Sequence, residues 1–118
     1  MEVQYSPETR QWPNRLALMQ EASQQLAEIV SPQWSQLLKA EWSCVQDLTG
    51  RTLYRLTLRD DSGEVYTDFT PDELQNALHM RFRLPRLWGD LLKIRNDQQH
   101  KQVQMLVAEM LSGQGAAD

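Results

Sequence analysis

The chain has 118 residues, 41% hydrophobic and 24% charged, which fits one globular domain and excludes wholesale disorder. The net charge is −4, and residues 1–78 hold 6 basic and 12 acidic side chains against 6 and 4 in residues 79–118, so most of the chain repels phosphate. Cys44 is the only cysteine, which excludes an internal disulfide. The start has no charged-then-apolar leader, and no apolar run nears membrane-spanning length, so the expectation is a soluble cytoplasmic protein.

Residues 1–12 are expected to be loose. Pro13 suits the first position of a helix, and Leu16, Met19, Ala22, Leu26 and Ile29 then recur in steps of three and four, up to Ser31-Pro32. Three alternating segments follow, at about 37–46, 52–59 and 64–69. They read as a three-stranded antiparallel meander with Trp42, Cys44, Tyr54, Leu56, Leu58 and Phe69 inward. A left-handed Gly50 pairs Trp42 with Leu56 and Cys44 with Tyr54. A Ser62-Gly63 loop pairs Leu58 with Thr67 and Leu56 with Phe69. On the outer face Arg55 and Arg59 are flanked by Glu41, Glu64 and Asp68 as a charge lattice.

Thr70-Pro71-Asp72-Glu73 is a capping box, the most specific short signal in the chain. Leu74, Ala77 and Leu78 are expected inward on the helix it starts. Residues 80–84 suit either a strand or the end of that helix, and the reading favours helix. Pro85 then opens another helix with Leu87, Trp88, Leu91 and Leu92 as its apolar face. The polar interval 96–101 leaves open whether 85–112 is one helix or two. His100 is expected to pack partly with Val103 and Val107. Val103, Leu106, Val107, Met110 and Leu111 form a last amphipathic stripe, and 113–118 should be a loose tail. A small three-stranded face has little room for three apolar helix faces, so the last stripe is expected to stay partly bare. The fold class is α+β, one domain over 1–118: an N-terminal helix, the meander, then two or three C-terminal helices on one sheet face.

The element order is similar to that of double-stranded-RNA-binding modules. Those place lysines at the start of the helix after the third strand, where this chain reads Pro71-Asp72-Glu73. A small acidic helix-flanked sheet also resembles bacterial secretion chaperones in architecture alone.

No catalytic, cofactor-binding or metal-ligating residue is assigned. His79, His100 and Cys44 fit no metal-ligand spacing, the acids at 60–68 fit no calcium loop, and no phosphate-cradling glycine loop or nucleophile elbow is present. Positive charge concentrates from His79 to Lys101, but Arg86 with Asp90 and Lys93 with Asp97 are spaced as i,i+4 pairs that neutralise it. The expected function is a non-enzymatic protein-interaction module, an adaptor or chaperone-like binder. Its candidate surface is Arg81, Arg83, Arg86, Val103, Leu106 and Met110, and its partner another protein or a second copy. The alternative is a nucleic-acid-binding accessory protein using 81–95, which the acidic charge disfavours. A small enzyme with a scattered site is the weaker alternative.

Overall fold

The computed structural model describes the backbone of residues 1–117 and the side chains of residues 1–112. The fold is α+β, built on a four-stranded mixed sheet in the order β1-β2-β3-β4. Strand β1 is Glu2–Tyr5, β2 is Lys39–Gln46, β3 is Thr52–Asp60 and β4 is Gly63–Phe69. The helices are α1 (Pro13–Ile29), the single-turn α2 (Pro32–Ser35), α3 (Pro71–Gln75) and α4 (Ala77–Ala117). One turn of 3-10 helix, Pro7–Gln11, links β1 to α1.

The first residues correct the expectation of a loose N terminus and a three-stranded sheet. Glu2 pairs with Lys39 and Tyr5 with Trp42, parallel to β2. A parallel neighbour needs a long crossover, and the 3-10 turn, α1 and α2 supply it. Thr9 is buried within the 3-10 turn, its Oγ1 donating to the Ser6 carbonyl at 2.6 Å.

The β2–β3 register is the expected one, with Trp42 opposite Leu56 and Cys44 opposite Tyr54. Gly50 takes φ 84° in the turn, a conformation that strains any side chain with a Cβ. The β3–β4 register differs from the expectation by two residues: Leu58 faces Val65, Leu56 faces Thr67 and Tyr54 faces Phe69. Asp60 is the reason. Its Oδ1 accepts from the Ser62 and Gly63 amides at 2.7 and 3.2 Å, closing the turn over Asp61-Ser62 rather than Ser62-Gly63. On the outer face Arg55 grips Asp68 through two bonds of 2.8 and 3.1 Å, and Arg59 meets Glu64 at 2.9 Å. Glu41 lies opposite Thr57 and joins no ion pair among the described residues.

The core lies between the inner sheet face and the helices. Met19, Ala22 and Leu26 of α1 meet Trp42, Leu56, Leu58 and Phe69 of the sheet and Met80, Leu84, Leu87 and Leu91 of α4. The capping box closes α3 in both directions: Glu73 N–H donates to Thr70 Oγ1 at 3.1 Å, and Thr70 N–H donates to Glu73 Oε1 at 2.9 Å. Burial pushes the Glu73 carboxyl up, but the two Thr70 bonds, His79 and Arg83 outweigh it and hold it below the usual carboxylate range. Thr70→Ala removes the acceptor and should destabilise the fold by about 0.5–2 kcal/mol, read from the urea midpoint at unchanged slope.

The third helix is shorter than expected. Asn76 is extended, and its side chain restarts the chain as α4 by accepting from His79 N–H at 3.1 Å. Ala77 and Leu78 are therefore exposed rather than inward, and only Leu74 of the α3 face is buried. Residues 80–84 are helical, and 85–112 belong to the same helix, so Pro85 lies inside α4 instead of opening a new one. Proline removes one backbone bond at this point. Leu84 and Leu87, buried on either side of it, keep the helix continuous. The tail expected over 113–118 falls where side chains, and in Asp118 the backbone, lie outside the described residues.

Candidate functional site

Helix α4 is 41 residues long, about 60 Å at 1.5 Å per residue, and the molecule measures 69 × 33 × 25 Å. Its first half is docked through Met80, Leu84, Leu87, Trp88 and Leu91, spaced in helical steps on one face. Its last anchors sit at the β3–β4 turn. Gly63 brings the backbone so close that an added Cβ would lie 3.1 Å from Ile94 Cγ2. Arg95 Nη2 donates to Asp60 Oδ2 at 2.7 Å and Asp61 Oδ1 at 3.0 Å, with its guanidinium 4.3 Å over the Trp34 ring. Gln98 Nε2 donates to the Ser62 carbonyl at 2.5 Å.

Past Gln98 the helix leaves the body, and every residue from Gln99 to Ser112 is exposed. This arm carries the last apolar stripe in the open: Val103 is 57% exposed, Leu106 59%, Val107 49% and Met110 66%. His100, expected to pack partly, is exposed with them and contacts Gln104 at 3.1 Å. Lys101 and Glu109 are the only charges from 99 to 112, so the arm is neutral. A helix of this length is marginal alone in water, and large apolar side chains on it gain nothing until another surface covers them.

The other predicted surface residues separate. Arg81 and Arg86 are exposed on the first turns of α4, about 26–44 Å along the helix from Val103, Leu106 and Met110. Arg83 is engaged internally: it donates to Thr67 Oγ1, to the Asp68 carbonyl at 3.0 Å and to Glu73 at 3.4 Å, and it lies 4.8 Å over the Phe69 ring. Arg86 with Asp90 and Lys93 with Asp97 form no ion pair among the described residues. Two further residues join the exposed surface that the sequence pattern does not single out: Leu78 and Phe82 stand 63% and 72% exposed, one turn apart, flanking Arg81.

Two of the clefts beside the sheet reach a nucleophilic side chain. One, of about 510 Å³, includes Cys44, Trp12, Glu8, Arg15 and Tyr54. Arg15 donates to Tyr54 Oη at 2.7 Å and lies against both aromatic rings. Burial pushes the Cys44 thiol up, Glu8 adds to this and Arg15 opposes it, so the sulfur stays a protonated, poor nucleophile. The other cleft, of about 580 Å³, reaches Tyr5 and Ser23. The Ser23 hydroxyl accepts from Trp42 Nε1 at 2.8 Å and Tyr5 Oη at 3.3 Å and donates to the Met19 carbonyl at 2.9 Å, which ties the sheet to α1 and leaves no proton for a base to take.

Among the described residues no cluster of His, Cys, Asp and Glu has the makings of a metal site, and no helix is long and apolar enough to cross a membrane. Comparison with protein-family models, with curated proteins and with solved structures returns no match.

Proposed function

We propose that this chain is a non-enzymatic protein-interaction module of the cytoplasm, whose compact body presents the distal half of α4 as a docking arm. The observation that carries the reading is the exposed stripe Val103, Leu106, Val107 and Met110 on a helix segment that no part of the body among the described residues covers. Hydrophobic side chains at helical spacing are what a partner groove or partner helix reads. The test is capture on the immobilised full chain, in parallel with a Leu106→Asp, Met110→Asp variant. Proteins, a second copy included, retained by the native arm and lost by the variant support the reading; equal retention overturns it.

The nucleic-acid alternative has less support. Of the cations between Arg81 and Arg95, Arg83 and Arg95 are held by internal acids, and the chain as a whole is acidic. Titration with short single- and double-stranded oligonucleotides at about 0.15 M salt should show no saturable binding at micromolar protein. Micromolar binding lost on Arg81→Glu with Arg86→Glu would reverse the ranking. An enzymatic reading is the weakest, since the Cys44 thiol is held protonated and the Ser23 hydroxyl is already committed.

A further inference from the structure

We infer that the arm's occupant is a second copy of this chain, the two α4 helices packing antiparallel along their whole exposed length. The inference rests on the arm being a docking surface and names what docks there. Counting back from Met110, Leu106 and Val103 in alternating steps of four and three leads to Phe82 and Leu78, at the opposite end of the same helix. That is the spacing of a heptad seam. It lies across the helix from the buried stripe of Met80, Leu84, Leu87 and Leu91, and only Leu92 along it is even half-buried. One exposed seam therefore carries a large apolar group at each end, separated by Pro85, Gly89, Leu92, Asn96 and Gln99.

The apolar ends of two such seams can be matched in either direction. In the antiparallel arrangement Leu78 meets the partner's Met110, Phe82 meets the partner's Leu106, and Pro85 meets the partner's Val103. Further in, Gly89 faces the partner's Gln99, and Leu92 faces the partner's Asn96. Each layer joins the two kinds of seam position, as antiparallel pairs of this type require, and the two-fold axis passes near residue 94. Gly89 has open space where a Cβ would be, so a long side chain can lie over it. By symmetry the apolar contacts form twice, once at each end of the pair.

Charge selects the direction. Arg81 and Glu109 have no ion-pair partner among the described residues. Antiparallel pairing sets Arg81 beside the partner's Glu109, whereas parallel pairing sets it beside the partner's Arg86, a like charge. On the other flank Arg86 faces the partner's His100. The two Lys93 side chains approach at the axis, each with Asp90 and Asp97 on its own helix about a turn away. The centre is thus flanked by charged side chains and the ends carry the attachment. The overlap from Leu78 to Met110 is about 48 Å, and a strip one helix wide covers roughly 500 Å² on each copy, about 1,000 Å² in total, below the size of stable interfaces and in the range of weak, reversible ones. A dimer of micromolar strength is expected.

Sedimentation or light scattering of the full chain across the micromolar range should show a monomer–dimer equilibrium. Phe82→Asp and Leu106→Asp, both at exposed positions, should each weaken it about tenfold or more with unchanged circular dichroism. Arg81→Glu and Glu109→Arg should each weaken it about fivefold, and the two together should restore it. Spin labels on Leu111→Cys in a Cys44→Ser background should lie about 50 Å apart in the dimer, against roughly 10 Å for a parallel pair. A chain that is monomeric throughout, a dimer indifferent to Phe82→Asp, or the short label distance would overturn the inference. If the chain is monomeric yet its native arm retains a different protein that the Leu106→Asp, Met110→Asp variant loses, the docking reading stands and only the identity of the occupant is wrong.

Discussion

Trp42→Ala should cost about 3–5 kcal/mol, a large share of the roughly 5–15 kcal/mol that holds a domain together. Trp42 is fully buried in the second strand, its ring centroid 5.9 Å from that of Phe69. Two separate losses add. Truncation opens a cavity at the centre of the sheet face, where the surrounding strands are hydrogen-bonded on both sides and cannot collapse into it. It also removes the indole N–H that donates to Ser23 Oγ at 2.8 Å, one of the polar links between sheet and α1. Trp42→Phe separates the two, since it keeps most of the volume and loses the hydrogen bond, and should cost clearly less. Urea unfolding of the three proteins measures this. A Trp42→Ala loss below about 1 kcal/mol would mean that the indole is not the centre of the core.

The legible parts of the fold are those in which two local signals agree. Gly50 and the inward set Trp42, Tyr54 and Leu56 specify one register between them, and the register is observed. In the next hairpin the hydrophobic pattern cannot see the error. A slip of two residues keeps every side chain on its face, so Val65, Thr67 and Phe69 stay inward under either pairing. Only the Asp60 carboxylate, bonding to the turn it precedes, distinguishes them. Strand β1 escapes sequence reading because Glu2–Tyr5 is four residues long and its partner lies far along the chain.

For the candidate site the limit is Pro85. The stripe from Val103 to Met110 is readable from its spacing, and three apolar helix faces competing for a small sheet imply that one stays bare. Treating Pro85 as a helix start cuts the seam in two and gives Phe82 no role, and running the capping-box helix on past Asn76 sends Leu78 inward. Packing on both sides of the proline outweighs the one backbone bond it removes. Continuity of the helix is what makes its two ends parts of one surface.

Arg95→Ala should be the other large effect, and it acts where the body hands the helix over to the arm. The Asp60 side chain is 3% exposed and that of Arg95 9%, with 2.7 Å between them. Removing the cation leaves a buried carboxylate without its counter-charge, which costs about 3–5 kcal/mol. It also strips the guanidinium from the Trp34 face and releases Asp61. Asp60→Asn tests the charge itself. It leaves an acceptor for the turn amides and leaves Arg95 with Asp61, so about 1–3 kcal/mol is expected. The pH dependence has a definite sign. Burial pushes the Asp60 carboxyl up, but the bonds from Ser62 and Arg95 outweigh it, and the folded-state pKa lies below the ordinary value. Its contribution is therefore present above the unfolded carboxylate range and is lost as pH falls through the folded value. In Arg95→Ala the burial is no longer offset by the guanidinium, so protonating Asp60 relieves the variant. Its deficit against the native chain should shrink from neutral pH toward acid, and it should be constant in pH if the pair is only a surface contact. Hydrogen exchange adds a spatial check: amides around Ile94 and Gln98 should lose protection in the variant while those of the Trp42–Leu56 pair keep theirs, because the clasp holds the exit of α4 and not the centre of the sheet.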